Sequence, residues 1–564
     1  MTKEQQPIRL ACARTTVQVH LPDDRVFEGK RGTPLVKFFQ VAFTDSDNPP
    51  VAAVVQGELC ELFRPVERDI TAKPVFLSDS DGMRIYCRSL SFLLIVSVHD
   101  LFPDARLIID YSVPHGGYFC RVEEREPFTD EELSRIKARM QEIVAADRPI
   151  ERRRLSVAEV KEVFAARGDE GKARLLTGFS EDHINFYSLD GFLDYFYGYM
   201  VPSTGLLRTF ALEPFSDGFV LRFPRRESPT TLLPAPKFTA LCEVFSEYGK
   251  WLDVVGVRDV SALNEAIRSQ RIEEVILVSE ALHEQRIAGI ASALAGRHDK
   301  DHRLVFIAGP SSSGKTTFSK RLAVQLLANG IHPYPLAMDH YFLPRELLRK
   351  EGEEIDFDSF AALDAPFLEG QLADLLQGKK VSLPQYNFRT GKREVGPTVQ
   401  LKPDQILIVE GIHGLNPQLM KNFHQGTSFR IFVSALTQLN LDSHNRVPTT
   451  DTRLIRRIVR DVVYRGYDAQ STIMMWENVR AGEKQNIFPY QEQADVMFNS
   501  ALVYELAVLK PLAEPLLLQV RQEQPRIEAE RLLAFLKWFE PYHGETIPGN
   551  SLLREFFGGL TLRD

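Results

Sequence analysis

The chain has little of what would mark several broad classes. Its five cysteines, Cys12, Cys60, Cys87, Cys120 and Cys242, all lie in the first half and form no C-x-x-C pair, which leaves no support for a disulfide framework or a cysteine metal site. Positive charge is not in excess. A formal net charge of -8 gives no basic footprint for bulk nucleic-acid binding, although a local basic face could sit inside that total. Long hydrophobic runs are absent too. The most apolar stretch, residues 90–98, is too short to span a bilayer, and the opening MTKEQQPIRLACARTT lacks the apolar core of a signal peptide, so the expectation is a cytoplasmic protein without membrane partners. No N-K-x-D sequence for reading guanine occurs.

What is present is ordinary globular composition, 44% hydrophobic and 26% charged over 564 residues, and the length suits several domains. The most informative segment is LVFIAGPSSSGKTTFSKRLAVQLLANG, residues 304–330. A short apolar strand leads into Gly309, Pro310, Ser311, Ser312, Ser313, Gly314, Lys315, Thr316 and Thr317, which fit G-x-x-x-x-G-K-[ST] where a helix should open. Glycines let such a loop bend its N–H groups toward phosphate oxygens, and the helix N-terminus adds about half a positive charge. Lys315 would contact the β- and γ-phosphates, and Thr316 would ligate Mg²⁺. ATP or GTP and Mg²⁺ are the expected cofactors.

Two further apolar segments end in acids: residues 335–338 precede Asp339, and residues 406–409 precede Glu410. Open α/β sheets put working residues at the carboxyl ends of strands, and two carboxylates beside a phosphate loop suit phosphoryl transfer, one orienting the attacking hydroxyl and one supporting Mg²⁺. Residues 451–466, DTRLIRRIVRDVVYRG, read as a helix with Leu454, Ile455, Ile458, Val459 and Val462 on one side and Arg453, Arg456, Arg457 and Arg460 on the other. By itself such a stripe is a solvated basic face; beside a phosphate loop it is expected to be a lid of mobile cations.

The ordered set GPSSSGKTT, MDHYF, DFDSFAALD, LPQYNFRTGKR, LIVEGI and TRLIRRIVRDVVYRG resembles the uridine kinase and phosphoribulokinase family of P-loop kinases. That resemblance implies Asp339 as the base for a nucleoside 5′-hydroxyl, Asp358 as the ribose-binding carboxylate, and Phe357 and Tyr386 as walls of the base pocket. It adds Phe388 and Ile412 to the substrate set, makes Glu410 the Mg²⁺-associated acid, and makes Arg457, Arg460 and Arg465 lid and substrate arginines. Two positions depart from the pattern. Gly391 stands where uridine-cytidine kinases carry a base-reading histidine, and Met475 where a lid glutamine is expected, which puts uridine specificity in doubt. The stretch 436–450 is longer than the family's usual connection.

The N-terminal half reads differently. TTVQVHLPDDRVFEGKRGTPL and AAVVQGELCELFRPV, rich in alternating apolar residues, resemble the β-grasp TGS module of threonyl-tRNA synthetases, and residues 88–212 resemble the second additional, editing domain of that family. That domain holds an H-x-x-x-H and a C-x-x-x-H pair. Phe92, Val96, Phe196 and Met200 occupy those places here, so zinc ligation and editing are expected to be lost and RNA binding to be an open role for this half.

The expected fold is multidomain: a TGS-like module over 1–80, an editing-like α+β domain over 81–225, a linker and helical segment over 226–298, an α/β P-loop kinase with a parallel sheet over 299–500, and a helical segment over 501–564. The proline-bearing stretch 211–236 reads as linker, and residues 262–295 as a helix ending at a Gly296 C-cap. The expected activity is transfer of a γ-phosphate to a nucleoside 5′-hydroxyl by a homo-oligomer. A sugar or sugar-phosphate kinase, and an NTP-gated tRNA- or ligand-binding regulator, are the alternatives; the acceptor-side set Asp339, Asp358 and Tyr386 argues against the second.

Overall fold

The computed structural model describes residues 14–44, 46–177, 179, 181–235, 238–297, 303–348, 357, 359–387, 390–419, 428–544 and 546–562. The chain divides into two compact units: one holds residues 1–167 and 180–236, and the other holds 168–179 and 237–564.

In the first unit a five-stranded sheet runs in the order Val26–Lys30, Thr16–His20, Ile70–Val75, Ala52–Val55, Glu58–Cys60. Alternation drives it: Val17 and Val19 point inward, with Leu35, Phe38 and Phe39 of the crossing helix Leu35–Ala42 closing the core beneath them. The long helix Ser80–Leu101 is apolar through its middle, and residues 89–98 are all buried, as expected of a helix enclosed by other elements. It packs with the helix Asp130–Ala145, opened by a Thr129–Glu132 capping box, and with a four-stranded antiparallel sheet made by Ala211–Phe215, Gly218–Arg222, Gly117–Glu123 and Arg106–Val113.

That sheet corrects the linker reading of 211–236. Its first two strands fall inside that stretch, and Pro214 is accommodated because its strand is at the sheet edge, where a missing N–H leaves no ladder bond broken. Phe92, Val96, Phe196 and Met200 are buried in one apolar cluster, the Phe92 and Phe196 rings meeting edge to face at 5.4 Å. Among the described residues no group of three or more His, Cys, Asp or Glu is placed to hold a metal, and no helix is long and apolar enough to cross a membrane.

The second unit is built on a five-stranded, all-parallel sheet in the order His332–Ala337, Gln405–Glu410, Leu304–Ala308, Ser428–Ser434, Val496–Asn499. The central strand Leu304–Ala308 is buried at every position, the pattern of a parallel strand covered on both faces. The expected single helix over 262–295 is two, Val260–Arg268 and Ile272–Arg297, separated by a turn in which Gln270 has φ +62°. Gly296 lies inside the second helix and is not its cap. This helix is integral to the unit: Arg321 of the loop helix Lys315–Ala328 reaches Glu280 and Glu284, and the Tyr504 hydroxyl donates to Glu280. Residues 436–450 are largely buried packing; Val260 N donates to Asn440 O, and Lys172 Nζ lies 2.6 Å from His444 Nδ1.

Apolar side chains at Phe92, Val96, Phe196 and Met200 make these four positions part of the core. Phe196→Ala should destabilise the first unit by about 3–5 kcal/mol, read as a lowered denaturant midpoint.

A phosphate loop clamped by buried arginines

The loop 309–314 leaves the central strand and opens the helix Lys315–Ala328. Its glycines are dictated by crowding: a Cβ on Gly309 would lie 2.0 Å from Val433 O, and Gly314, at φ +84°, has room for none because Leu552 would sit 2.8 Å away. Ser312 also takes a left-handed conformation, φ +57°. Alternating backbone handedness of this kind is how a loop forms an anion-binding nest.

The loop is held from behind by the helix Thr449–Arg460. Arg453 Nε donates to Ser311 O at 2.9 Å, and its guanidinium pairs with Glu483, whose carboxylate accepts from Ser311 N at 3.0 Å. Arg456 reaches Ser312 O and Ser500 O and pairs with Glu505, while the Ser500 hydroxyl donates to Ser313 O. Both guanidiniums are essentially fully buried. The basic stripe is therefore neither a solvated face nor, at Arg453 and Arg456, a mobile lid. These cations are inside because each has a buried carboxylate partner and loop carbonyls to satisfy its donors.

The other arginines meet at one carboxylate. Arg457 Nη1 donates to Ser311 Oγ at 2.8 Å. Arg457, Arg460 and Arg465 gather around the buried Asp461 carboxylate at 3.3, 2.8 and 3.7 Å. Asp461–Arg465 is a π-helical turn, a rare distortion frequent at functional sites, and Arg465 is half-exposed.

Register places the acids. Ala337 pairs with Glu410 and Ile307 with Glu410, so the acid ends its strand beside both the loop strand and the strand that leads to Asp339 in the turn Met338–Tyr341. Thr316 Oγ1 lies 3.3 and 3.4 Å from the two Glu410 carboxylate oxygens. Burial, against the attraction of Lys315 and with the Asp339 and Glu555 charges nearby, pushes the Glu410 carboxyl up to about 7. Burial lowers the Lys315 ammonium, with Glu410, Glu555 and Asp339 acting against it, and its Nζ donates to Pro310 O at 3.1 Å. A hydroxyl and a carboxylate at this separation are the hard oxygen set that suits Mg²⁺, which keeps waters and phosphate oxygens for the rest of its shell.

Phe357, Phe342 and Tyr386 form an aromatic cluster with ring centroids 5.3 to 6.3 Å apart at the hairpin of Lys380–Asn387 and Lys392–Gln400. Gly391 turns that hairpin at φ +69°, and a Cβ there would meet Arg345 Cδ at 2.4 Å, so the place of the expected histidine is taken by a guanidinium stem. Ile412 follows Glu410 in a half-buried turn, and Met475 is half-buried on the helix Ala469–Asn486. Asp358 and Phe388 lie outside the described residues.

Strand, clamped loop, helix and two acids at the sheet rim agree with the comparison by family. Residues 304–507 match the phosphoribulokinase / uridine kinase family model. Among solved structures the chain is similar to one described as "a Possible Uridine Kinase" from Bacillus stearothermophilus, at 21% identity over 38% of this chain and 98% of that one, TM-score 0.28. It is also similar to D-glycerate 3-kinase from Cryptococcus neoformans, at 19% identity over 47% and 89%, TM-score 0.22. The N-terminal half is similar to threonine–tRNA ligases: 32% identity over 204 residues with those of Paraburkholderia phymatum and Burkholderia lata, 36% of this chain. The chain spans about a third, 32%, of the length of those relatives.

The structure brings the sequence-proposed loop, Asp339 and Glu410 to one rim and adds Glu483, Ser500, Glu505 and Glu555 around the loop, which carry no local motif. Glu410 gives a pH test of the geometry. Its folded value is raised above that of the unfolded chain, so its contribution is fully present below about pH 4.5 and lost as pH rises through about 7. Across that window the ligand-free protein should lose on the order of 3 kcal/mol relative to Glu410→Gln, measured by denaturant unfolding at a series of pH values.

Proposed function

We propose that the C-terminal domain is an ATP-dependent kinase that phosphorylates a hydroxyl acceptor, and that the acceptor is the 5′-hydroxyl of a nucleoside. The observation that carries this reading is the convergence on one sheet rim of the Thr316–Glu410 pair, Lys315 and Asp339, with an acceptor-side aromatic cluster beyond. The match of residues 304–507 to the phosphoribulokinase / uridine kinase family supports the kinase assignment. The nucleoside rests on the family match and on the partly buried Phe357 ring, which suits stacking on a base.

In this account the loop and Lys315 bind the β- and γ-phosphates, and Thr316 with Glu410 holds Mg²⁺. When bound, Mg²⁺ neutralises charge between the phosphates and the developing transition state. The Asp339 carboxylate accepts the hydroxyl proton as the acceptor oxygen forms its bond to the γ-phosphorus and the bond to the bridging oxygen breaks. Arg465, within electrostatic reach of Asp339, and Arg460 stabilise charge on the transferring group. With Gly391 and Met475 where polar base contacts are expected, discrimination between uridine and cytidine is weak, because a pocket that makes few hydrogen bonds to a base rejects analogues poorly.

A panel of nucleosides, sugars and sugar phosphates offered with ATP or GTP tests the reading. Nucleoside monophosphate should form, with less than about a thousandfold preference between pyrimidines. Lys315→Ala should abolish turnover in a folded protein, and Asp339→Asn should depress kcat far more than nucleotide affinity. Product only from sugars would reassign the acceptor; product from none, in a protein that binds nucleotide, would refute the kinase reading.

A further inference from the structure

The phosphate loop already holds a carboxylate of its own chain. Glu555, from the short C-terminal helix Arg554–Phe557, accepts hydrogen bonds through Oε2 from Thr317 N at 3.1 Å and Thr317 Oγ1 at 2.9 Å. Thr317 is in the first turn of the fourteen-residue loop helix, where the backbone N–H has no partner within the helix and where a polyphosphate oxygen is the natural acceptor. The Glu555 oxygen therefore stands in the place of a phosphate oxygen.

The segment that delivers this carboxylate is ordered by packing and not by Glu555 alone. Ser551, Leu552, Leu553 and Phe556 are buried, Leu552 rests on Gly314, and Phe556 lies under the Arg456 guanidinium at 5.0 Å. Arg554 donates to Ile547 O, and Lys320 of the loop helix donates to Leu562 O at 3.4 Å. Lys315 meanwhile faces the charges of Glu410, Glu555 and Asp339 together. An incoming triphosphate adds several negative charges to that set. Ionised Glu555 opposes it twice, by occupying the Thr317 donors and by repulsion.

We propose that Glu555 is a tethered competitor of nucleotide at the phosphate loop, so that the C-terminal segment must release Thr317 before the triphosphate seats. This rests on the nucleotide-binding reading of the loop and adds the control of that site. Two contributions follow, opposite in sign: the contact stabilises the empty protein and weakens the first nucleotide contact.

Titration of the full chain with a fluorescent mant-ATP analogue in the presence of Mg²⁺ reads both, alongside thermal melts without ligand. Glu555→Gln removes the charge at constant shape, and Glu555→Asp withdraws the carboxylate by one methylene. Each should lower the ligand-free Tm and tighten mant-ATP binding, the glutamine variant by about tenfold, the scale of one charge-assisted hydrogen-bonded contact. Should one variant not fold, the other decides. Binding that is equal to or weaker than wild type in a folded variant overturns the competitor while leaving the nucleotide reading intact. No binding by folded wild type or folded variants overturns both.

Discussion

Everything at the active face depends on the buried ion pairs behind the loop 309–314. A phosphate-binding nest works only if its carbonyls are turned away from the ligand and kept there. Here Arg453 holds Ser311 O, Arg456 holds Ser312 O, and Ser500 holds Ser313 O. Glu483 and Glu505 neutralise the two guanidiniums in a site without water access, where an unpaired charge would cost several kcal/mol. A buried pair is weak evidence of stability. Its use here is to fix one backbone conformation ahead of ligand binding, so that the ordering is already complete when nucleotide arrives.

The same helix continues from the loop toward the groups around Asp339. Beyond Arg453 and Arg456 it continues into the π-helical turn, where Asp461 gathers Arg457, Arg460 and Arg465. One element thus clamps the loop with its buried arginines and leads into a turn where Arg465 is half-exposed. The parallel sheet supplies the acids by register, since Glu410 ends its strand between the loop strand and the strand leading to Asp339. In the N-terminal unit the logic is reversed. Where the synthetase-like pattern would carry polar ligands, Phe92 and Phe196 meet in an apolar core, and the scaffold is held by burial instead of coordination.

The strand, loop and helix of the phosphate site were legible because their signals are local: an apolar run, a fixed glycine spacing and a helix start within thirteen residues, 304–316. Asp339 and Glu410 were legible for the same reason. Arg453 and Arg456 read as lid cations because an arginine stripe beside a phosphate loop suits a lid, whereas the partners that bury them are remote in sequence, Glu483 by 30 residues and Glu505 by 49. Glu555 lies 238 residues from Thr317, and no spacing rule connects them. The linker reading failed at Pro214 because proline breaks central strands but is admitted at a sheet edge, and edge position is a property of the whole sheet.

The claim that the buried arginines preorganise the loop, and do more than stabilise the fold, is tested by removing one ion pair together with its counter-charge. In the double variant Arg453→Met, Glu483→Met no charge is left unpaired, and apolar replacements of similar volume are commonly tolerated. Unfolding free energy and nucleotide affinity are measured on the same protein. The account predicts stability close to or above wild type with affinity weakened by at least about tenfold, since one conformation of Ser311 is no longer enforced. Unchanged affinity in that stably folded variant would contradict it.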